Sequence, residues 1–158
     1  MLEVLAAANR AGRNLTLDAF GEGPLENELI LMARSLGVEK QIRFHGYRKD
    51  VRNFLPGYRT YIHASYSESS SLAIMEAMNA GLPIVAGKIG PIPELMDDGV
   101  EGKFWPLDDV PQAARMLIDL LDHEEDRLRA SSAARERFHR DFDASVIAPR
   151  LVSFLTKA

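Results

Sequence analysis

No cysteine occurs in the 158 residues of this chain. Disulfides and thiolate metal sites are thereby excluded, and a reducing, cytosol-like setting is the natural fit. Long apolar runs are missing as well: none approaches the ~20 residues that a membrane-spanning helix needs. The opening Met1-Leu2-Glu3 carries an acid where a secretory leader has its basic region, and Arg10 and Arg13 interrupt the apolar stretch early. No leader is therefore expected. A basic stripe is the third absence. Residues 1–80 hold nine basic and nine acidic side chains, residues 81–158 ten and fourteen, for a net charge of −4. That balance argues against nucleic-acid binding and limits any bound anion to a small one gripped locally. What remains, 46% hydrophobic and 27% charged residues, is the composition of one globular domain with a buried core.

Along that domain, apolar segments of strand length alternate with amphipathic segments of helix length. Residues 2–11 read as a helix stopped at Gly12, and 14–20 (NLTLDAF) as a strand. Gly21-Glu22-Gly23-Pro24 is a turn, with Pro24 suited to the first helical position. The helix after it presents Leu25, Leu29, Met32 and Leu36 on one face and ends at Gly37. Further strands are expected at 41–45, 59–64, 83–86 and 102–105, and helices at 50–55, 72–80 and around 93–96. From Val110 the chain reads as helix in three pieces, broken near His123 and Phe142. This alternation predicts βαβ units with right-handed crossovers, hence a doubly wound α/β fold on a parallel sheet. Ligands of such sheets bind beyond the carboxyl ends of the strands. Loops 21–24, 45–49, 65–71 and 87–91 should therefore share one edge. The chain opens on a helix where a doubly wound domain ordinarily opens on a central strand, and that strand is expected upstream of Met1.

Ser67-Glu68-Ser69-Ser70-Ser71 leads straight into an apolar helix that carries Glu76. Small hydroxyl residues at this place cap a helix and leave its N-terminus open. Free backbone N–H groups and the positive end of the helix dipole then suit phosphate oxygens. Glu68 before the helix and Glu76 on it can address different ends of one ligand. Carboxylates favour polyhydroxylated ligands, because one acid accepts two hydroxyl hydrogen bonds. On these residues alone, a surface glutamate and a plain serine cap account for the segment equally well.

The surrounding run separates the two readings. Ala77-Met78-Asn79-Ala80-Gly81-Leu82-Pro83-Ile84-Val85-Ala86 follows, then Gly90-Pro91-Ile92-Pro93-Glu94-Leu95 and Asp98-Gly99-Val100-Glu101-Gly102. Together these resemble the donor-binding domain of the family 4 glycosyltransferases, which have the GT-B fold. The family pattern is a Glu, seven residues, a second Glu, then Ala-Met, Gly-x-Pro, Gly-Gly, Pro-Glu-Leu and Asp-Gly-x-x-Gly. Glu68, Glu76, Glu94, Gly99 and Gly102 stand in those places. Upstream, Gly21-Glu22-Gly23-Pro24 matches the family's Gly-x-Gly-Pro turn, and Ile42-Arg43-Phe44-His45-Gly46 its strand end. The resemblance runs from about Leu15 to Pro106, with a looser helical tail. It implies a Rossmann-like GT-B C-terminal domain, with 1–121 as α/β core and 122–158 as C-terminal helices. An amino-terminal acceptor domain is implied but is not in this sequence.

The resemblance also implies roles. Glu76 would bind the ribose hydroxyls of a nucleotide-diphosphate sugar, and Glu68, the catalytic candidate, would approach the donor sugar. The N–H groups of Ser70, Ser71 and Leu72 would take the diphosphate, and His45, Gly46 and Tyr47 would line the base. Gly21, Gly23 and Gly90 complete the donor loops. Transfer would retain configuration, with no cofactor and no essential metal. Two departures stand out: Ser70-Ser71 replaces the usual Phe-Gly, and Gly90-Pro91 replaces Gly-Gly, removing one N–H. The family's diphosphate-clamping Arg and Lys precede the first helix and are not in this sequence. Lys88 has two readings, a partial replacement for them or a solvated lysine.

Lesser candidates point to structure. Glu26 stands where a nicotinamide-binding glycine fingerprint needs its third glycine. The four histidines lack metal-ligand spacing. Trp105 is expected to cap an apolar edge, and Phe138, Phe142, Val146, Leu151 and Phe154 to form a partly exposed stripe. The implied partners are the nucleotide sugar, the acceptor domain and, through it, a glycan or lipid-linked acceptor at a membrane surface, as in polysaccharide biosynthesis. The implied location is cytoplasmic or peripheral at the inner membrane face. Alone, the chain is expected to hold a donor without transferring it. The rivals are a non-catalytic GT-B-like interaction module and an epimerase- or phosphorylase-type domain on the same architecture.

Overall fold

A computed structural model describes residues 1–156. Helix α1 (Leu2–Arg10) precedes β1 (Leu17–Ala19), α2 (Glu26–Ser35) and β2 (Ile42–Phe44). Two short 3-10 turns, Val51–Asn53 and Leu55–Gly57, lead to β3 (Tyr61–His63), α3 (Leu72–Asn79), β4 (Ile84–Ala86), α4 (Ile92–Leu95) and β5 (Gly102–Phe104). The chain then continues as α5 (Val110–Asp122), α6 (Glu124–Arg137), a wide turn at Phe138–Phe142 and α7 (Ala144–Leu155). Side-chain caps start the two helices with the clearest boundaries. Asp109 accepts the N–H of Gln112 ahead of α5, and Asp143 that of Ser145 ahead of α7.

All strand pairs are parallel, but they form two sheets, β1-β2 and β3-β4-β5, rather than the single sheet expected. The ladder is interrupted between β1 and β3, and each of these strands has a partner on one side only. All five strands pair over three residues, shorter than the four to seven expected. The remaining departures are local. Pro24 lies in a turn and α2 starts at Glu26, while the expected helix at 50–55 is the pair of 3-10 turns.

Alternation of side chains along β4 divides the core. Ile84 and Ala86 face Ile74, Met78, Ile92 and Met96. Val85 points the other way, to Val4, Trp105 and Leu117. Trp105 is thus core rather than an edge cap. A third cluster, with Leu2, Leu5, Ala33, Val38 and Ile42, joins α1 and α2 to β1-β2. The C-terminal helices pack onto this core. Ala134 of α6 is fully buried in the first cluster, against which Phe138 and Phe142 also pack. α7 leaves its apolar side chains exposed, Leu151 and Phe154 among them, and α2 does the same with Leu29 and Leu31.

Candidate functional site

At the carboxyl end of β3 the chain turns through the serine-rich loop to Ser71, the N-cap of α3. Ser71 is buried, yet its hydroxyl has no partner and makes no cap bond. Glu68 ties the loop ahead of it instead: its Oε1 accepts the N–H of Ser69 at 3.0 Å and of Ser70 at 3.1 Å. One N–H expected to face a diphosphate therefore already holds a carboxylate of the chain itself. Oε2 of Glu68 lies 2.9 Å from His63 Nε2, both side chains being largely enclosed. The ring N–H is out of line for a hydrogen bond, so this contact is electrostatic and strengthens when His63 is protonated. Behind it, the Tyr61 hydroxyl lies 3.4 Å from His63 Nδ1.

These neighbours set the charge states. The Ser70 N–H, opposed by desolvation and joined by the Ser69 N–H and His63, holds the Glu68 carboxyl below its ordinary value. Burial, reinforced by the charges of Glu68 and Glu76, pushes the Tyr61 phenol up to about 12. Tyr61 thus feels both glutamates. Glu76, one turn along α3, accepts Nε and Nη2 of Arg52 on a single oxygen, at 3.0 and 2.8 Å. Leu72 is well exposed, which leaves the start of α3 open to solvent.

Because the Glu68 carboxyl is depressed, its hold on the loop is complete above the ordinary glutamate value and fails as pH falls through the folded-state value. The Ser69 and Ser70 amide resonances should therefore move together on acidification, below the reference value of 4.5. In Glu68→Gln that shared titration should be gone. Amides that titrate unchanged in the variant would disconnect the loop from Glu68.

The next loop is pressed against this one. A Cβ on Gly90, whose φ is +47°, would stand 2.5 Å from the backbone carbonyl oxygen of Glu68, so the approach of loop 87–91 requires glycine there. Lys88 extends over the Phe104 ring, with Nζ 5.8 Å from its centroid. The loops after β1 and β2 are tied in turn. Gly21 donates its N–H to the Gly46 carbonyl at 2.8 Å, and Glu22 accepts that of Tyr47 at 3.2 Å. Gly23 offers its carbonyl to Glu26 at the start of α2. The His45 ring stacks on Phe20 at 4.7 Å and lies 2.8 Å from Asp18 Oδ1. Although burial opposes it, hydrogen bonding from His45, Tyr58 and Arg43 keeps the Asp18 carboxyl below its ordinary value. Tyr47 projects into solvent.

A cleft of about 890 Å³ opens between the two sheets, lined by Leu17 and Asp18 on one side and Tyr61 and Ile62 on the other, and Gly21, Tyr47, Arg52 and Glu76 also stand on its walls. The structure thus brings Glu76, Gly21 and Tyr47 to one cavity. Glu68, Ser70 and Gly90 sit together on the adjoining loops. His63 and Arg52 were not among the residues that the sequence singled out. His63 ends a strand five residues before Glu68, but a search for metal-ligand spacing compares histidines with one another and passes over one beside a carboxylate. Arg52 lies 24 residues from Glu76, with no local signal to link them. Among the described residues no group of three metal-ligating side chains forms, and no helix is long and apolar enough to cross a membrane.

Known proteins resemble this chain in sequence and fold. The family described as Glycosyl transferases group 1 matches residues 1–137. The D-inositol 3-phosphate glycosyltransferase of Corynebacterium glutamicum is 31% identical, over 99% of this chain and 36% of its own length. The N-acetyl-alpha-D-glucosaminyl L-malate synthase of Bacillus anthracis is 28% identical, over 80% of this chain and 33% of its own. The chain therefore spans about a third of the length of these relatives. In solved structures, Anabaena HepE in complex with UDP shares the fold with a TM-score of 0.89 at 23% identity, over 99% of this chain and 44% of that one. The pneumococcal O-GlcNAc transferase GtfA, in complex with UDP and GlcNAc, does so at 0.85 and 22% identity, over 98% and 32%. The doubly wound α/β architecture is thus that of known Rossmann-like GT-B domains, and the chain, matched over all but its last 21 residues, belongs to the glycosyl transferases group 1 family.

Proposed function

We propose that this chain is the donor-binding domain of a retaining, family 4 glycosyltransferase that takes its sugar from a nucleotide diphosphate. The observation that carries this is the placement of Glu68 in the loop that leads into the open start of α3 and of Glu76 one turn inside that helix on the cleft wall. Glu76, at the cleft wall, receives the ribose hydroxyls after releasing Arg52, whose guanidinium is then free to meet phosphate oxygens. Glu68, held by Ser69, Ser70 and His63, stands toward the donor sugar. The start of α3 and the basic side chains Arg52 and Lys88 offset charge on the leaving diphosphate, so the reaction needs no essential metal and no cofactor. UDP is the nucleotide to try first, because HepE and GtfA are both crystallised with it.

A separate acceptor domain supplies a glycan or lipid-linked acceptor, in the cytoplasm or at the inner face of a membrane, in the manner of polysaccharide assembly. The test is calorimetric titration of the full-length protein with UDP and UDP-sugars. Glu76→Ala is expected to weaken binding by roughly 10- to 100-fold, the worth of a charge-assisted hydrogen-bond pair. Unchanged affinity would remove Glu76 from the ribose, and no binding by the full-length protein to any nucleotide sugar would end the proposal. The exposed Ile147, Leu151, Val152 and Phe154 of α7 favour a second reading, a module that binds a protein partner without a nucleotide. Association without nucleotide affinity would select it.

A further inference from the structure

The amides ahead of α3 are engaged from within the chain. Oε1 of Glu68 takes the N–H groups of Ser69 and Ser70, and the Leu72 N–H turns back onto the Ser70 carbonyl at 3.3 Å. The backbone beneath this arrangement is pinned. The carbonyl oxygen of Glu68 lies so close to Gly90 that a Cβ there would stand 2.5 Å from it. The Glu68 side chain is less confined. Its second oxygen meets His63 Nε2 at 2.9 Å without a hydrogen bond, and that buried nitrogen has no other partner among the described residues. Rotation of the side chain therefore frees the Ser69 and Ser70 N–H groups while the loop stays in place and His63 remains a neighbour of the carboxylate.

Two anions cannot share these N–H groups. A carboxylate and a phosphate oxygen compete for the same donors, and at contact distance their charges repel. A diphosphate that takes the Ser70 N–H must displace Glu68, and the displaced carboxylate then needs donors of its own. The nearby cations do not supply them. Lys88 is drawn over the Phe104 ring, and Arg52 is held by Glu76. Sugar hydroxyls do, since one carboxylate accepts two of them.

Building on the donor reading, we propose that Glu68 discriminates a nucleotide sugar from the spent nucleotide. With the donor bound, the carboxylate accepts the sugar hydroxyls and leaves the amides to the diphosphate. The two contacts are linked, so each strengthens the other. Once the sugar has gone, Glu68 has no hydroxyls to accept and competes again for the Ser69 and Ser70 N–H groups. The bare diphosphate is thereby weakened and its release is hastened. Glu68 acts in this way on the nucleotide part of the ligand, which its carboxylate does not hold.

The experiment is calorimetric titration of the full-length protein with UDP and with UDP-glucose, for the parent, Glu68→Gln and Glu68→Ala. The parent should bind UDP-glucose about tenfold or more tighter than UDP, the worth of charge-assisted hydrogen bonds to hydroxyls. In both variants UDP should bind roughly threefold or more tighter than in the parent, and UDP-glucose more weakly, so that the preference for the sugar nucleotide collapses. UDP affinity that is unchanged in both variants overturns the proposal, because Glu68 would then act on the sugar alone. UDP affinity lowered in both overturns it too, because Glu68 would then support the site as a whole. Failure of the donor reading looks different: the parent then binds no nucleotide sugar at all.

Discussion

Gly102→Ala should abolish cooperative folding of this chain. Gly102 opens β5 directly opposite Ile84 of β4. A Cβ on it would stand 1.8 Å from the Ile84 carbonyl oxygen, 2.6 Å from its carbonyl carbon and 2.7 Å from its nitrogen. All three are backbone atoms, so no rotamer change relieves the overlap. β4 is buried on both faces and cannot retreat without breaking its pairing with β3 and repacking Ile74, Met78 and Met96. Ordinary overpacking of a core costs ~1–3 kcal/mol. Displacing a central strand costs more, about 4 kcal/mol or above, which approaches the whole stability of a small domain. Urea titration followed by circular dichroism should show no folded baseline, or a midpoint collapsed toward zero denaturant. A variant within about 1 kcal/mol of the parent would mean that β5 is not held as described. The geometry thus gives this glycine of the family motif a steric duty.

The order of elements from α1 to α7 was legible because its signals are local. Apolar periodicity marks the helices, Gly12, Gly37 and Gly81 punctuate them, and the breaks near His123 and Phe142 stand where expected. The split sheet was not legible, since whether β1 and β3 meet depends on what lies between them and not on either segment. Asp18 shows the same limit. It is one acid inside an apolar strand, and its partners His45, Arg43 and Tyr58 come from two other segments. In α6, rich in charge, Ala130 and Ala134, one turn apart, bury a narrow stripe in the core that charge alone does not reveal. At the site, the spacing of Glu68 and Glu76 was visible at once. Their partners His63 and Arg52 appear only when loops and strand ends are brought together.

Arg137→Met should cost about 3 kcal/mol or more, and the reason reassigns part of the sequence motif. Glu101 is 3% exposed. Its Oε2 accepts the Asp97 N–H at 2.7 Å, and its Oε1 lies 3.3 Å from Arg137 Nη1. The same guanidinium, itself mostly enclosed, binds Asp97 Oδ2 at 2.6 Å and the Glu94 carbonyl at 3.0 Å. Without Arg137, Glu101 keeps one N–H and no counter-charge, and an orphaned buried charge costs ~3–5 kcal/mol. Loss of the Asp97 contact adds little, because that carboxylate is open to water. The double variant Arg137→Met/Glu101→Gln should recover more than half of the loss, since the amide oxygen still accepts the Asp97 N–H and no charge is buried. Urea midpoints of the two variants and the parent decide the matter. A single variant that loses less than about 1 kcal/mol, or a double variant no better than the single, would remove the clamp. Where it stays folded, Arg137→Met should bind UDP as the parent does, because Glu94, Asp97 and Glu101 hold the end of α6 against β5 and do not face the cleft beside Glu76.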